Sequence, residues 1–243
     1  KEKFKPDVTN VRIITDLKES IDCLQQLLDD EPEFLSFDYE TSGIKPHRKG
    51  HFIRSIGFST DGINGTALLY HDDWRLRDLW QIILKNKKIL KTAHNLKFEE
   101  KWSRVIAGTG VQGWFWDSML ATHCLDNRGS ISSLKFQTYV NFGVEWYDGE
   151  IKPYIEGVKP GENPKSNNGF NRINEAPINP LLKYNALDAI YGARLTIKQE
   201  KIIPDRLLKS GNGYDLFLDG ILSFVDIEEK GWKINEGYYE KIQ

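Results

Sequence analysis

The order of the apolar segments along the chain constrains its fold more than any other feature of the sequence. Three segments with strand composition come first, and an Asp61-Gly62 pair, typical of a hairpin turn, separates the second from the third. Strand and helix patterns then alternate. The predicted strands are Phe34–Asp38, Phe52–Ser59, Ile63–Tyr70, Lys88–Ala93 and Trp114–Trp116. Hairpin order followed by strand–helix alternation predicts one mixed sheet with helices on its faces.

The predicted helices carry apolar residues at a helical repeat. One set is Leu76, Leu79, Trp80 and Ile83, and a second is Phe98, Trp102 and Val105. Further helices are predicted at Ser118–Leu125, Ser132–Val140, Leu181–Gln199 and Tyr214–Lys230. The arrangement favours an α/β, ribonuclease H-like fold with a mixed five-stranded sheet flanked by helices.

Two late segments depart from this regular pattern. Asp148–Pro180 is rich in Gly, Pro and Asn and has no periodicity, and its length indicates a mobile or functional loop. Tyr214–Lys230 is apolar on more than one face, so it needs partners on several sides. We expect one of those partners to be a part of the protein that this sequence does not include.

Composition limits the classes of function. A net charge of −2 argues against a broad basic face that holds nucleic acid tightly. It is compatible with an enzyme that grips a strand end briefly and carries its positive charge as bound metal ions. No apolar run has membrane-spanning length, and no signal-peptide core follows the basic Lys1–Lys5 stretch. We expect a cytoplasmic fragment of a longer chain, with Cys23 and Cys124 as buried thiols.

An acidic pair closes the first predicted strand. The chain contains four Asp-x-Glu pairs, Asp29/Glu31, Asp38/Glu40, Asp148/Glu150 and Asp226/Glu228. Only Asp38 and Glu40 end a buried strand, where residues i and i+2 share one face and both carboxylates can reach one cation. By itself, the pair is equally well explained as a solvated strand terminus.

Two further motifs carry acids. His94–Glu99 runs from a strand end into a helix, where an acid in the first turn is ordinarily only a partner for the helix dipole. Tyr184 and Asp188 are four residues apart and therefore lie on one helix face. Near a core, Asp188 is costly unless it is paired or bound to metal. A tyrosine–carboxylate hydrogen bond at the core margin is the alternative.

In this order, the three motifs resemble the DEDD (DnaQ-like) 3′-5′ exonuclease superfamily, in its tyrosine subgroup. The resemblance is strongest to the proofreading exonuclease domain of phage-type family A DNA polymerases and covers about Phe34–Gln199. Trp116–Leu120 and Ser133–Lys135 resemble its linking helices, and Leu218–Tyr239 resembles the segment that leads into the polymerase. The resemblance implies an exonuclease domain at residues 1–205 and a helical segment at 206–243 leading into a polymerase domain.

The resemblance also assigns a role to each acid. Asp38, Glu40 and Asp188 would hold one divalent ion, and Asp38 would bridge to a second ion that Glu99 helps to position. The cofactors would be two Mg²⁺ or Mn²⁺ ions, since both prefer oxygen ligands. These exonucleases usually have Asp where this chain has Glu99, and the extra methylene extends the reach by roughly 1.5 Å.

The remaining implied roles concern water and substrate. Tyr184 and Glu40 would orient the attacking water. Thr41, Ile44 and Asn95 would contact the terminal nucleotide, Ile44 as an apolar wedge against its base. The segment Lys45–His51 either contacts phosphates or is a solvated loop.

The predicted function is therefore removal of nucleotides from the 3′ end of DNA, single-stranded or frayed. The predicted setting is proofreading during DNA replication, for a polymerase domain of the same polypeptide. A related RNA-trimming exonuclease remains an alternative, because DNA and RNA present the same phosphodiester. A non-catalytic scaffold domain is a second alternative, and only the departure at Glu99 favours it.

Overall fold

A single mixed sheet forms the centre of the protein. The structure is a computed structural model that describes residues 8–203 and 213–242. Its strands are β1 (Asn10–Ile14), β2 (Phe34–Thr41), β3 (Ile53–Ser59), β4 (Asn64–Leu69), β5 (Leu90–Ala93) and β6 (Trp114–Asp117). They lie in the order β1-β4-β3-β2-β5-β6. β3 is antiparallel to β2 and β4, whereas β1–β4, β2–β5 and β5–β6 are parallel. The predicted mixed α/β fold is confirmed.

The helices cover both faces of the sheet. They are α1 (Leu17–Asp30), α2 (Trp74–Lys85), α3 (Leu96–Trp102), α4 (Ser118–Leu125), α5 (Leu134–Phe142), α6 (Lys152–Ile155), α7 (Ile178–Ile202), α8 (Tyr214–Lys230) and α9 (Glu236–Ile242). One π-helical turn, Ser103–Ala107, continues α3. α7 contacts strands β1 to β5, while α1 and α2 pack on each other and contribute residues to the largest core cluster. None of the helices within the described ranges has the length and apolar content needed to cross a membrane.

The sheet has six strands where the sequence predicts five. The additional strand, β1, pairs in parallel with β4 from Asn10 opposite Asn64 to Ile14 opposite Leu68. It lies at the sheet edge, and Ile14 is its one fully buried residue. An edge strand that buries so little of its surface has only a weak apolar alternation. For that reason the sequence pattern does not reveal it.

Up to Ile178, where α7 begins, the aperiodic segment Asp148–Pro180 contains only short elements. They are α6, a 3₁₀ turn at Ile173–Glu175 and an isolated β-bridge between Val158 and Asn171. The segment is tied to the end of β2, because the Asn171 amide nitrogen Nδ2 donates to the Thr41 carbonyl at 2.8 Å. It therefore lies against the end of the strand that carries the acidic pair.

Helix α8 packs on the sheet domain through one face and is exposed on another. Tyr214 and Leu218 join a buried cluster with Trp116 and Leu120. The outer face exposes four large apolar residues, Leu216, Phe217, Phe224 and Ile227. The proposed boundary between residues 205 and 206 lies outside the described residues, as does Lys1–Lys5. Cys23 and Cys124 are free and partly buried.

Candidate active site

Three carboxylates from two elements meet at one point of the structure. Asp38 and Glu40 project from β2, and Asp188 projects from α7. One ligand oxygen from each lies within 4.8 Å of the other two. Within residues 8–203 and 213–242, no other group of three His, Cys, Asp or Glu side chains is this close. The structure thus brings together the three acids that the family resemblance assigns to one metal ion.

Two glycines allow α7 to approach the sheet closely enough to form this cluster. A Cβ on Gly57 of β3 would lie 2.5 Å from the carbonyl oxygen of Asn185. A Cβ on Gly65 of β4 would lie 2.6 Å from the Ile190 side chain. Real Cβ atoms do not approach other atoms so closely, so any larger residue would push the helix outward. The small residues of β3 and β4 therefore set the distance between Asp188 and β2.

Asn185 fixes the orientation of Asp38. Its Nδ2 donates to Asp38 Oδ2 at 2.8 Å and to the Asp38 carbonyl at 3.1 Å. Its Oδ1 accepts a hydrogen bond from the Ser55 hydroxyl at 2.8 Å. Asn185 is fully buried, so each of these polar groups needs its partner. The sequence prediction does not include Asn185, although it lies within the Tyr184–Asp188 motif.

The cluster has more negative charge than nearby donors can balance. Burial, followed by the negative charge of Asp188, raises the pKa of Asp38 to about 8. Burial and the charge of Asp38 also raise the pKa of Glu40 well above its usual range. Acids whose ionised form is disfavoured in this way are stabilised by a nearby cation. A hard divalent cation fits this all-oxygen donor set.

A lysine and two tyrosines surround Asp188. Lys135 Nζ, from α5, forms a salt bridge with Asp188 and donates to the Tyr184 hydroxyl at 2.7 Å. The Tyr147 hydroxyl donates to Asp188 Oδ1 at 2.5 Å. Burial, then the charge of Asp188, raises the pKa of Tyr184, so its hydroxyl stays protonated. The sequence predicts α5 as a helix that resembles a linking helix, but it assigns no site role to Lys135 or Tyr147.

Glu99 lies beside this cluster and outside it. It is in the first turn of α3 and only 2% exposed. Its Oε2 is buried and has no hydrogen-bond partner among the described residues. Burial, then the charges of Asp38 and Glu40, raises its pKa well above the usual range. Glu99 is thus a buried acid with a free oxygen in the field of the other carboxylates.

The three predicted substrate contacts are dispersed. Thr41 is buried and its hydroxyl donates to the Gly43 carbonyl at 2.7 Å. Ile44 is 61% exposed and lines a cavity of about 450 Å³ beside Glu40. Asn95 has a left-handed backbone, with a φ of 78°, at the start of α3 and does not line that cavity. Only Thr41 and Ile44 therefore face the same space as Glu40.

Comparisons with known proteins agree with this geometry. Residues 11–204 match the family model described as 3′-5′ exonuclease. No curated protein sequence matches the chain. Brucella melitensis NrnC bound to pGG has a TM-score of 0.62 and 18% identity, over 92% of this chain and 95% of that one.

Two other solved structures share the fold. Escherichia coli RNase D, an exoribonuclease involved in structured RNA processing, has a TM-score of 0.51 and 15% identity, over 79% of this chain and 46% of that one. The POL domain of Pol1 from M. smegmatis, in complex with DNA primer-template and dNTP, has a TM-score of 0.54 and 9% identity. That likeness covers 79% of this chain and 27% of the Pol1 chain.

Proposed function

This chain belongs to the 3′-5′ exonuclease family, and we propose that it removes nucleotides from the 3′ end of DNA by metal-dependent hydrolysis. The observation that carries the proposal is the meeting of Asp38, Glu40 and Asp188 in one cluster, with Tyr184 one helical turn before Asp188. A phosphodiester resists attack because it is already an anion. Hydrolysis therefore requires positive charge at the scissile group.

The acids would hold that positive charge as two Mg²⁺ or Mn²⁺ ions. Asp38, Glu40 and Asp188 would bind one ion, and Asp38 and Glu99 would position the other. Bound divalent ions supply an activated water and stabilise the leaving oxygen. The free Oε2 of Glu99 and the raised pKa values of Asp38 and Glu40 support this assignment.

Tyr184 and Glu40 would orient the attacking water. A protonated tyrosine hydroxyl can donate to that water, and a carboxylate can accept from it. Lys135 holds the Tyr184 hydroxyl and pairs with Asp188, so it fixes the relative positions of these two side chains. These residues would align the nucleophile, and alignment of reacting groups is a large part of catalysis.

Two observations support DNA as the substrate and a polymerase as the setting. The tail Leu218–Tyr239 resembles the segment that leads into family A polymerases. The Pol1 structure with the same fold binds a DNA primer-template. In this proposal, the enzyme proofreads 3′ ends for a polymerase domain of the same polypeptide, in the cytoplasm of a bacterium or phage-infected cell.

RNA trimming is the second candidate function. NrnC, whose length this chain spans almost completely, binds pGG, and RNase D is an exoribonuclease. Both structures share the fold at low sequence identity. The carboxylate cluster acts on a phosphodiester common to both nucleic acids, so it is equally compatible with RNA.

Digestion of 5′-end-labelled single-stranded DNA and RNA of matched sequence tests both candidates. With Mg²⁺ or Mn²⁺ we expect a ladder that shortens from the 3′ end, and no cleavage in EDTA. Undiminished cleavage in EDTA, or early release of the labelled end, contradicts the proposal. Faster cleavage of RNA than of DNA favours the second candidate. A folded protein that cleaves neither strand under any of these conditions supports a non-catalytic scaffold.

A further inference from the structure

The cavity beside Glu40 has a second wall that the catalytic motifs do not supply. Its first wall is the end of β2 with Ile44 and Phe98. The opposite wall is the segment 155–171, which includes Asn167 and Phe170. The cavity is about 450 Å³, near the lower end of the range of roughly 300–1,000 Å³ for ligand sites. That volume suits one nucleotide.

The second wall is folded back on itself. A β-bridge joins Val158 to Asn171, and the Lys159 nitrogen donates to the Phe170 carbonyl at 2.9 Å. Tight turns at Glu162, Ser166 and Gly169 close the loop. The segment is therefore a hairpin-like flap with its own internal hydrogen bonds. We call residues 156–171 the flap.

A salt bridge fastens the flap to the loop that follows β2. Arg48 Nη1 and Nη2 donate to the two oxygens of Glu162 at 2.6 and 2.8 Å. The Arg48 guanidinium also lies 4.4 Å from the centre of the Phe170 ring. The side chain of Glu162 is 18% exposed and that of Arg48 is 34% exposed. A bidentate salt bridge of this kind fixes the relative orientation of the two side chains and also pairs their charges.

The two walls also touch directly at Gly43. A Cβ on Gly43 would lie 2.6 Å from the Gly169 carbonyl and 2.4 Å from the His51 ring. The Asn171 nitrogen donates to the Ser42 carbonyl at 2.9 Å at the same place. Arg48 Nη1 also donates to the Asn168 carbonyl at 3.0 Å, so the salt bridge and the backbone contact together fix the distance between the walls.

The cavity offers an apolar side and a polar side. Ile44 and Phe98 supply apolar surface, while Ser166 and Asn167 supply a hydroxyl and an amide group. A nucleobase has flat apolar faces and hydrogen-bonding edges, so it matches both kinds of surface. Glu40 connects the cavity to the carboxylate cluster, which would place the phosphate at that end.

We propose that the flap is the recognition wall for the terminal nucleotide and that the Arg48–Glu162 salt bridge holds it at the distance this nucleotide requires. This inference rests on the proposed function for the identity of the ligand. The flap would act on substrate binding, because its salt bridge involves none of the metal-binding acids. Loosening it should therefore change KM more than kcat.

Glu162→Gln tests this directly, because it removes the charge of the salt bridge and keeps the size of the side chain. The matched control is Glu175→Gln, which breaks the Arg172–Glu175 pair in the same segment but away from this cavity. We expect Glu162→Gln to raise KM about three- to tenfold, as for loss of a partly buried charge pair. It should change kcat less than KM. Glu175→Gln should leave KM and kcat unchanged.

Binding of the mononucleotides dAMP and AMP, measured by calorimetry with Mg²⁺, separates this inference from the proposed function. We expect the wild type to bind at least one, and Glu162→Gln to bind it more weakly by the same factor as KM. If the protein binds them more weakly after Glu162→Gln but cleaves no strand, the proposed role of the flap is supported and the proposed exonuclease activity is contradicted. If the enzyme is active and Glu162→Gln changes neither KM nor nucleotide affinity, the proposed role of the flap is wrong. It is also wrong if the wild type binds neither nucleotide.

A second pair of variants tests the backbone contact. Gly43→Ala must push the walls apart, whereas Gly149→Ala adds a Cβ with no atom within 4 Å. Weaker dAMP and AMP binding in Gly43→Ala and unchanged binding in Gly149→Ala support the flap. Equal binding in both variants contradicts it.

Discussion

Glu99 and Glu100 are adjacent on α3 and each is only 2% exposed, yet their carboxylates have opposite surroundings. Glu100 accepts hydrogen bonds from Arg104 Nε at 2.6 Å, the Val111 nitrogen at 3.0 Å and Trp114 Nε1 at 2.8 Å. Glu99 has an oxygen with no hydrogen-bond partner in the described part of the chain, and it lies near two other carboxylates. A buried acid normally has its hydrogen bonds supplied by the protein. The side of α3 that carries Glu100 is therefore structural, whereas the side that carries Glu99 presents a carboxylate oxygen that is free to bind a cation.

The same contrast separates the acidic pairs of the chain. Asp226 and Glu228 of α8 contact Arg104, Lys97 and Lys101. Among the described residues, Asp38 and Glu40 form no salt bridge with a lysine or arginine, and their pKa values are raised. Acids that fasten α8 to α3 are paired within the protein, whereas the acids at the strand end would be balanced by the proposed metal ions. The predictions below test that difference, beginning with the largest expected effect.

Asp38→Asn should nearly abolish cleavage. The variant removes one charge from the centre of the cluster but keeps an oxygen that Asn185 can contact. We expect a loss on the order of 10²–10³ in rate, as for removal of one charge-stabilising group. Because repulsion among the acids falls, the metal-free variant should melt at a higher temperature than the wild type. Wild-type turnover in a folded variant would contradict the assignment.

Glu99→Ala and Glu100→Ala should fail in different ways. Glu99→Ala should lower cleavage by about 10–100-fold, as for loss of a group that positions a metal ligand, and should cost little stability. Glu100→Ala leaves three donors without an acceptor, so it should lose about 1–3 kcal/mol for each donor that stays buried. Glu100→Ala is therefore a poor control for Glu99→Ala, because it destabilises the fold. Glu100→Gln keeps an acceptor and is the better control.

Glu99→Asp distinguishes a working acid from a decayed one. It restores the shorter acid that is usual in the resembling exonucleases, and it should keep or improve activity. The measurement is cleavage of the labelled strand beside thermal melting of each variant. If Glu100→Gln loses cleavage and Glu99→Ala does not, the roles of the two acids are reversed.

Tyr184→Phe should have a smaller effect. Loss of one hydrogen bond to the attacking water should cost about 1.4 kcal/mol, or roughly tenfold in turnover. Metal affinity should barely change, because Asp188 keeps its contacts with Lys135 and Tyr147. A variant with altered stability and normal turnover would show that Tyr184 is only a core residue.

The metal-free protein should lose stability as the pH rises from about 6.5 to about 8, above the range in which His51 and His94, with pKa values lowered by burial, take up protons on unfolding. In this window the folded protein keeps protons on acids with raised pKa values, Asp38 at about 8, while the unfolded chain has released them. The folded state then binds more protons, so each step up in pH disfavours it. The decrease in melting temperature per pH unit should be smaller in Asp38→Asn and at saturating Mg²⁺. A melting temperature that rises over this window would contradict the account.

Local periodicity predicts five of the six strands and places the acids on strand and helix faces, and the family resemblance then predicts that Asp38, Glu40 and Asp188 form one site. The i, i+2 spacing in β2 places Asp38 and Glu40 on one face, and the i, i+4 spacing in α7 aligns Tyr184 with Asp188. The residues that complete the site are not predictable in this way. Lys135 and Asp188 are 53 positions apart, and no repeat links them. Their contact depends on how α5 packs against α7.

The flap illustrates the same limit. Its lack of periodicity indicates a long functional or mobile segment, but nothing local shows that Glu162 pairs with Arg48, 114 residues earlier. Edge strand β1 is also invisible to patterning because it buries little apolar surface. In the sequence, Glu100 is a second glutamate directly after Glu99, and nothing local distinguishes their roles. Only the donors from Val111 and Trp114 reveal the structural role of Glu100.

Calorimetric titration of Mn²⁺ into the metal-free protein tests the central claim most directly. The wild type and Glu100→Gln should bind Mn²⁺ with similar affinity, since Glu100 is already satisfied by protein donors. Asp38→Asn should bind far more weakly, and Glu99→Ala should lose the weaker of two binding events. If Asp38→Asn and the wild type give the same isotherm, the carboxylates of β2 and α7 do not form a cation site, and the account is wrong.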